Sequence, residues 1–217
     1  MAVMTKEWLT QQMGSKDNVL ARQAVEELRA RGWLEDGSLQ GAALSNADLQ
    51  RALLLRADLR EADMRGANLQ EAVLHSAKLQ ESNLRAADLQ GATLWGADLQ
   101  GANLAEANLQ GTNLSGADLR GANLASANLQ KAILAASDLR GASNLSDKQL
   151  SQANEMRHAK MPDGSRYDGR FNLAGDIEWM RTKGTDTDDP AGMARFYGVS
   201  LEAYHRVSNG SGEAVKS

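Results

Sequence analysis

The 217-residue chain has no cysteine, so disulfide bonds and thiolate chemistry are excluded and a reducing compartment is permitted. It has few aromatic residues, four Trp, three Tyr and two Phe, which is poor material for a globular core packed around large rings. It has no excess of basic charge. With a formal net charge of -4 and a pI near 5.5, nothing suggests a broad surface for neutralising phosphates, and no direct nucleic-acid partner is expected. Nor does the charge amount to that of a polyanion. No run of eighteen apolar residues occurs, and the opening MAVMTKEWLTQQMG lacks a basic region followed by an apolar run and a small-residue cleavage site. The expectation is a soluble cytoplasmic protein with no membrane partner.

Catalytic patterns are also missing. His75, His158 and His205 are far apart, with no metal-ligand spacing and no carboxylate partner that the sequence identifies. The glycines do not open a helix as a phosphate-binding loop does, and the aspartates follow a repeat instead of pairing in a pocket. The expectation is a non-enzyme with no cofactor, no metal and no catalytic residue.

What is present is a five-residue period. Leu or Met recurs at every fifth position from Leu39 through Leu139, twenty-one times, and two residues before each sits Ala, with only Gly37, Ser82, Thr112 and Ser137 departing. With the Leu written as position i, the residue at i-1 is mostly Asp, Asn or Ser, and i+2 is often Gly. A helix cannot carry this pattern: at about 100° per residue, successive Leu would wander roughly 140° around the axis. In short extended segments, Ala at i-2 and Leu at i share an inward face, i-1 and i+1 point outward, and the remaining residue turns a corner suited to Gly. The reading is an all-β solenoid whose Leu stack from coil to coil about 4.8 Å apart.

The A-(D/N)-L-x-x pattern over residues 37–141 resembles the pentapeptide repeat family. The resemblance implies a right-handed quadrilateral β-helix with four repeats per coil, hence slightly more than five coils. A twenty-residue pattern in the sequence agrees with four sides. The rule at i-1 is broken by Leu53, Val73, Thr93 and Ile133, one coil or more apart, with Asn113 the conforming member; outside this phase only Ala43 and Lys78 depart. The i+1 partners are Leu55, His75, Trp95, Ser115 and Ala135. One side is therefore unusually apolar, and Leu53, Leu55, Val73, His75, Trp95 and Ile133 form a candidate interaction face. Either a partner or second copy covers it, or the chain's own tail folds back over it. A second phase places Gln50, Gln70, Gln90, Gln110 and Gln130 in register, and stacked amides are expected to bond to one another there.

A solenoid needs its ends covered. Residues 1–36 read as a helical N-terminal cap: Ser15 as N-cap of a helix through Arg31, Leu20, Ala24, Val25 and Leu28 on one side, Gly32 as terminator, and Trp33 with Leu34 as a plug. At the other end the register breaks at Ser143, where the solenoid is expected to stop, and Ser146 with Gln149 forms a capping box for a short helix. Residues 142–207 read as a C-terminal cap, turn-rich over Met161–Arg170 and similar to the tails of some bacterial pentapeptide repeat proteins. Asp189 and Pro190 start a helix to Tyr197, Gly198 ends it, and Ser200 caps another through about Val207. That pair is mildly reminiscent of a helix-turn-helix, but no third helix is evident, and packing onto the solenoid is the stronger reading. Residues 208–217 read as a disordered end.

Two functions follow. The leading one is a rigid protein-interaction or scaffolding module that recruits a protein partner or a second copy as a homodimer. The alternative comes from the resemblance: quinolone-resistance members mimic a DNA duplex and bind DNA gyrase, a topoisomerase. Residues 37–141 depart from that expectation, with eleven acidic and nine basic residues and no loop interrupting the repeats.

Overall fold

A computed structural model describes residues 4–171 and 173–208, with the side chains of 207 and 208 outside the description. The expected disordered end therefore lies outside the described residues, apart from Ser208.

Between residues 38 and 143 the chain is a four-sided coil. The i-1 residue of each repeat makes a parallel bridge to the residue twenty positions on: Ala43 to Asp63, Asp48 to Asn68, Leu53 to Val73, Asp58 to Lys78, and so on through Asn123 to Ser143. An offset of four five-residue repeats per layer means four sides per turn. Each side contributes one bridged residue, because a corner follows two residues later and no strand can lengthen.

The repeat leucines and alanines face inward and are buried in one continuous apolar cluster. Ser82, Thr112 and Ser137, standing in the Ala place, are also buried, and each hydroxyl donates to a backbone carbonyl: Leu79, Leu89 and Leu134 respectively. That satisfies the polar group and explains why small hydroxyl residues are tolerated in the tube.

The hydrogen bonds of one repeat show what the five-residue unit must provide. At Ala97–Gly101, Ala97 N–H closes the preceding corner onto Leu94 O (3.0 Å), Asp98 N–H reaches back a coil to Ala77 O (3.0 Å), and Leu99 and Gly101 N–H reach forward to Asp118 O (2.7 Å) and Arg120 O (2.9 Å). Only the N–H at i+1 has no backbone acceptor, and the Asp98 carboxylate takes it, with Gln100 N at 3.1 Å from Oδ1. Asp or Asn at i-1 does the same for residues 50, 65, 70, 85, 90, 105, 110, 115, 120, 125, 130 and 140. The acidic and amide residues at i-1 are thus side-chain caps on an otherwise unpaired donor.

All i+2 corners have φ between 53° and 68°; nine of them are Gly and twelve carry a side chain, among them Arg51, Ala86 and Ala136. The expectation of Gly at the corner is met, and the ladder also holds other residues in the left-handed region.

The N-terminal cap is a hairpin of two helices, α1 (Lys6–Met13) and α2 (Asn18–Ala30). The N-cap of α2 is Asp17, whose carboxylate accepts from Val19 and Leu20 N–H, while the Ser15 hydroxyl accepts from Asp17 N–H. This corrects the expected single helix from Ser15. The buried stripe is Ala21, Ala24, Val25 and Leu28, spaced i, i+3, i+4, i+7, whereas Leu20 is 45% exposed. Gly32, at φ 71°, ends the segment, Leu34 is buried, and the Lys6 ammonium and Arg31 guanidinium lie 5.1 and 5.0 Å from the half-buried Trp33 ring. The hairpin closes the ladder directly: Ser15 O accepts from Asp48 N–H (2.8 Å) and Leu34 O from Asp58 N–H (2.7 Å), donors that have no earlier coil to bind.

At the far end the coil does not stop at Ser143. The Ser146–Gln149 capping box forms and starts α3 (Asp147–Leu150). The ladder then resumes with a two-residue insertion: Glu155 bridges Ile133 and Lys160 bridges Asp138, each twenty-two positions on. Met156 and Met161 take the Leu place, Ala159 the Ala place, and His158 turns the corner at φ 60°. Met for Leu, with the α3 insertion breaking the period, hid these last two sides. A short antiparallel reversal, Lys160 to Arg166, follows.

Three helices complete the C-terminal cap: α4 (Ala174–Thr182), α5 (Pro190–Tyr197) and α6 (Leu201–Ser208). The start and end of α5 at Asp189 and Gly198, and the capping of α6 by the Ser200 hydroxyl at 3.1 Å from Ala203 N, agree with the sequence. The sequence reading missed α4. Its first turn carries Asp176, fully buried, whose carboxylate accepts from Met156 N–H (3.1 Å) and Arg157 N–H (2.9 Å). These are donors of the last coil, so Asp176 ends the ladder as Ser15 and Leu34 begin it.

Candidate interaction face

Three of the four sides bear polar ladders. On the side of Asp48, Asn68 Nδ2 donates to Asp48 Oδ1 (3.0 Å), Asn108 to Asp88 (2.9 Å) and Asn128 to Asn108 (3.1 Å). The glutamines beside them do not form the expected continuous ladder: Gln50 bonds Gln70 (3.3 Å), and Gln70 turns instead to Asp88. The i-1 side chains lie closer to the wall and complete the stack first.

On the side of Asp58, carboxylates are met by arginines two residues on: Asp58 by Arg60 (2.7 and 2.8 Å), Asp118 by Arg120 (2.6 Å) and Asp138 by Arg140 (2.7 Å), with Lys78 and Lys160 joining the first and last. Hydrogen bonding to these arginines holds all three carboxyls below the usual carboxylate range, against the opposing effect of burial.

The fourth side differs. Leu53, Leu55 and Trp95 are 39%, 43% and 48% exposed, and Val73, His75 and Ile133 are half-buried. The His75 and Trp95 rings meet edge to face with centroids 4.2 Å apart. Here i-1 is Leu53, Val73, Thr93 or Ile133, none of which caps the corner, so the N–H groups of Leu55, His75, Trp95 and Ala135 have no acceptor among the described residues. Asn113 restores the cap at Ser115 (3.0 Å).

The C-terminal cap leaves the Leu53–Trp95 part of this side uncovered. It reaches only the lower end, where Glu155 continues the column below Ile133, Arg157 pairs with Glu155 and lies 4.8 Å from the Trp179 ring, and Ala135 is buried. The helices of the cap instead gather Tyr167, Phe171, Phe196 and Tyr197 into an aromatic cluster. Tyr197 packs so closely on Gly169 that a Cβ there would lie 2.2 Å from its ring.

Among the described residues no group of His, Asp or Glu is placed to hold a metal ion, and no helix is long and apolar enough to cross a membrane. The geometry defines a capped parallel β-solenoid of five-residue repeats, four to a coil. The chain belongs, through its repeats, to the pentapeptide repeat family: the model described as "Pentapeptide repeats" matches residues 38–75, 67–104 and 102–141, in eight copies.

Among solved structures it is similar to the pentapeptide repeat protein Rfr23 from the cyanobacterium Cyanothece 51142, at 48% identity over 38% of this chain and 56% of that one, with a TM-score of 0.38. The chain thus spans little more than half the length of Rfr23. It is also similar to alr5209, a pentapeptide repeat protein from Nostoc Pcc 7120, at 35% identity over 45% of this chain and 84% of that one, with a TM-score of 0.37. A fainter likeness, 21% identity over 64% and 84% of the two chains and a TM-score of 0.32, links it to QnrB1, a plasmid-mediated fluoroquinolone resistance protein. No curated protein sequence matches.

Proposed function

We propose that this protein is a non-catalytic interaction module, a rigid rod whose side bearing Leu53, Leu55, Val73, His75 and Trp95 receives a protein partner or a second copy. The observation that carries this reading is the uncovered apolar ladder itself: Leu53 and Leu55 stand exposed in one coil and Trp95 two coils on, with half-buried Val73 and His75 between, while the described helices of the C-terminal cap pack elsewhere. Exposed singly they would mean little; aligned on one rigid wall they make a preformed surface. The alternative, DNA mimicry towards gyrase, calls for a strong negative field, and the arginine neutralising each of Asp58, Asp118 and Asp138 weighs against it.

The test compares wild type with a Leu53→Glu, Trp95→Glu double variant, both confirmed as folded by circular dichroism. Light scattering after size-exclusion chromatography reads self-association, and photo-crosslinking from position 75 in extract of the source cells reads a partner. A dimer that becomes monomeric, or a crosslinked protein that disappears, supports the reading. A folded variant that changes neither overturns it.

A further inference from the structure

Resting on that reading, we infer that the partner this side fits is an acidic amphipathic helix of another protein, laid along the rod with its apolar stripe on Leu55 and Trp95. Three features of the wall point there. The first is the unpaired N–H of Leu55, His75 and Trp95. Everywhere that a corner donor of this type is met, the acceptor is a side-chain carboxylate or amide oxygen, as Asp98 serves Gln100. A partner carrying carboxylates beside an apolar stripe supplies in trans the group that the other sides supply in cis.

The second feature is shape. The corners beside Trp95 are Gly91 and Gly96, and those of the next coil are Gly111 and Gly116, the last two with open space where a side chain would stand. Beyond Trp95 neither shoulder is fenced, and one coil before it the shoulders are Glu71 and Ser76. The exposed part of the ladder, Leu53 to Trp95, covers roughly 100 Å² at one extended segment by two coil steps of about 4.8 Å, well short of the roughly 800 Å² per partner of a stable dimer. One helix is the better match. Its turns advance about 5.4 Å against the coil spacing of about 4.8 Å, so side chains one turn apart stay near register over three coils.

The third is charge. In a protein of net charge -4, the corners beside Leu53 and Leu55 are the basic Arg51 and Arg56, Glu71 is the one acidic corner within the platform, and Lys131 stands two coils beyond Trp95. Among the described residues Arg51 and Arg56 are held by exposed pairs to Glu71 and Glu35, which a partner carboxylate can displace, and Lys131 makes no ion pair. The complementary helix is negative on both sides of its stripe.

The probes are two labelled sixteen-residue synthetic helices with the same leucine stripe, one flanked by Glu and one by Lys, titrated by fluorescence anisotropy against the full chain. The expected result is that the Glu helix binds at least tenfold tighter than the Lys helix and weakens as salt is raised. Thr93→Asn, which caps the Trp95 N–H in cis without changing charge or removing the ring, should weaken it at least fivefold in a protein that remains folded. Equal or tighter binding of the Lys helix, or unchanged affinity in Thr93→Asn, overturns the inference. If neither helix binds while the crosslinked partner sensitive to the double variant persists, the acidic-helix assignment falls and the interaction reading stands; if the crosslink is absent too, both fall.

Discussion

Asp98 Oδ1 accepts the backbone N–H of Gln100 at 3.1 Å, and this short contact sets the chemistry of the repeat. Four of the five N–H groups in each repeat are paired by the ladder and the corner, so the residue at i-1 decides whether the fifth is met. On three sides it almost always is. On the side of Leu53, Val73, Thr93 and Ile133 it is not.

The first prediction concerns that cap. Asn113→Ala removes the acceptor of Ser115 N–H and should cost about 1 kcal/mol, whereas Thr93→Asn supplies one to Trp95 N–H and should add about 0.5–1 kcal/mol. Denaturant unfolding followed by circular dichroism reads both. If Thr93→Asn is neutral or destabilising while Asn113→Ala is costly, water already satisfies the Trp95 donor as well as a side chain can.

Left-handed corners give the second. Ala86 and Ala136 sit at φ 56°, where a Cβ is penalised by about 1–2 kcal/mol. Replacing either by Gly relieves that strain and returns part of the gain as unfolded-state entropy, leaving a net stabilisation of about 0.5–1 kcal/mol. Ala97→Gly, inward-facing and fully buried in the same repeat frame, should instead destabilise. Melting curves for the three variants give the comparison; the same sign for all would show that corner strain does not govern them.

Inward and outward positions differ most sharply at adjacent residues. Leu99 is fully buried in the middle of the tube, and Leu99→Asp places a charge there with no partner, a loss of at least about 4 kcal/mol that unfolds several coils. Gln100 makes one marginal side-chain contact, to Asp98 at 3.3 Å, and Gln100→Ala should change stability by no more than about 0.5 kcal/mol. Comparable losses from the two variants would contradict the stacking described above.

How legible this was depends on period. Twenty-one copies of one unit announce the tube, its four sides and its inward residues, because each stacked layer demands the same side chains. The end caps repeat nothing. Capping at Asp17 over Ser15 was decided by which residue reaches Val19 N–H, and Leu20 lost its place to Ala21 by one step of helical phase. Met156 and Met161 continue the coil, but the two residues inserted with α3 moved them out of register. The aspartates at i-1 read only as outward repeat positions, because capping a neighbouring N–H leaves no trace in hydropathy. The apolar phase was visible for the same reason the fold was, as an exception recurring every twenty residues. Asp176 carries no such mark, since only the folded chain brings it to the last coil.

That residue supports the last prediction. Burial raises the Asp176 carboxyl to about 6, with the N–H groups of Arg157 and Met156 and the charge of Arg157 opposing the rise. In the unfolded chain it titrates near 3.8, so the folded state binds the extra proton between those values. The stabilisation associated with that proton is full below about 3.8 and is lost as pH rises through about 6, up to about 3 kcal/mol in all. The depressed carboxyls of Asp58, Asp118, Asp138 and Asp163 act oppositely, losing stability as pH falls below the usual carboxylate range. The two effects therefore separate by pH, the Asp176 effect falling above that range. Hydrogen exchange at the Met156 and Arg157 amides, corrected for the intrinsic pH dependence, should show protection falling from pH 4.5 to 7, while amides of the central coils hold steady. Asp176→Asn, which keeps an acceptor but cannot ionise, should flatten that slope. A slope that survives in the Asn variant would place the titrating group elsewhere in the cap.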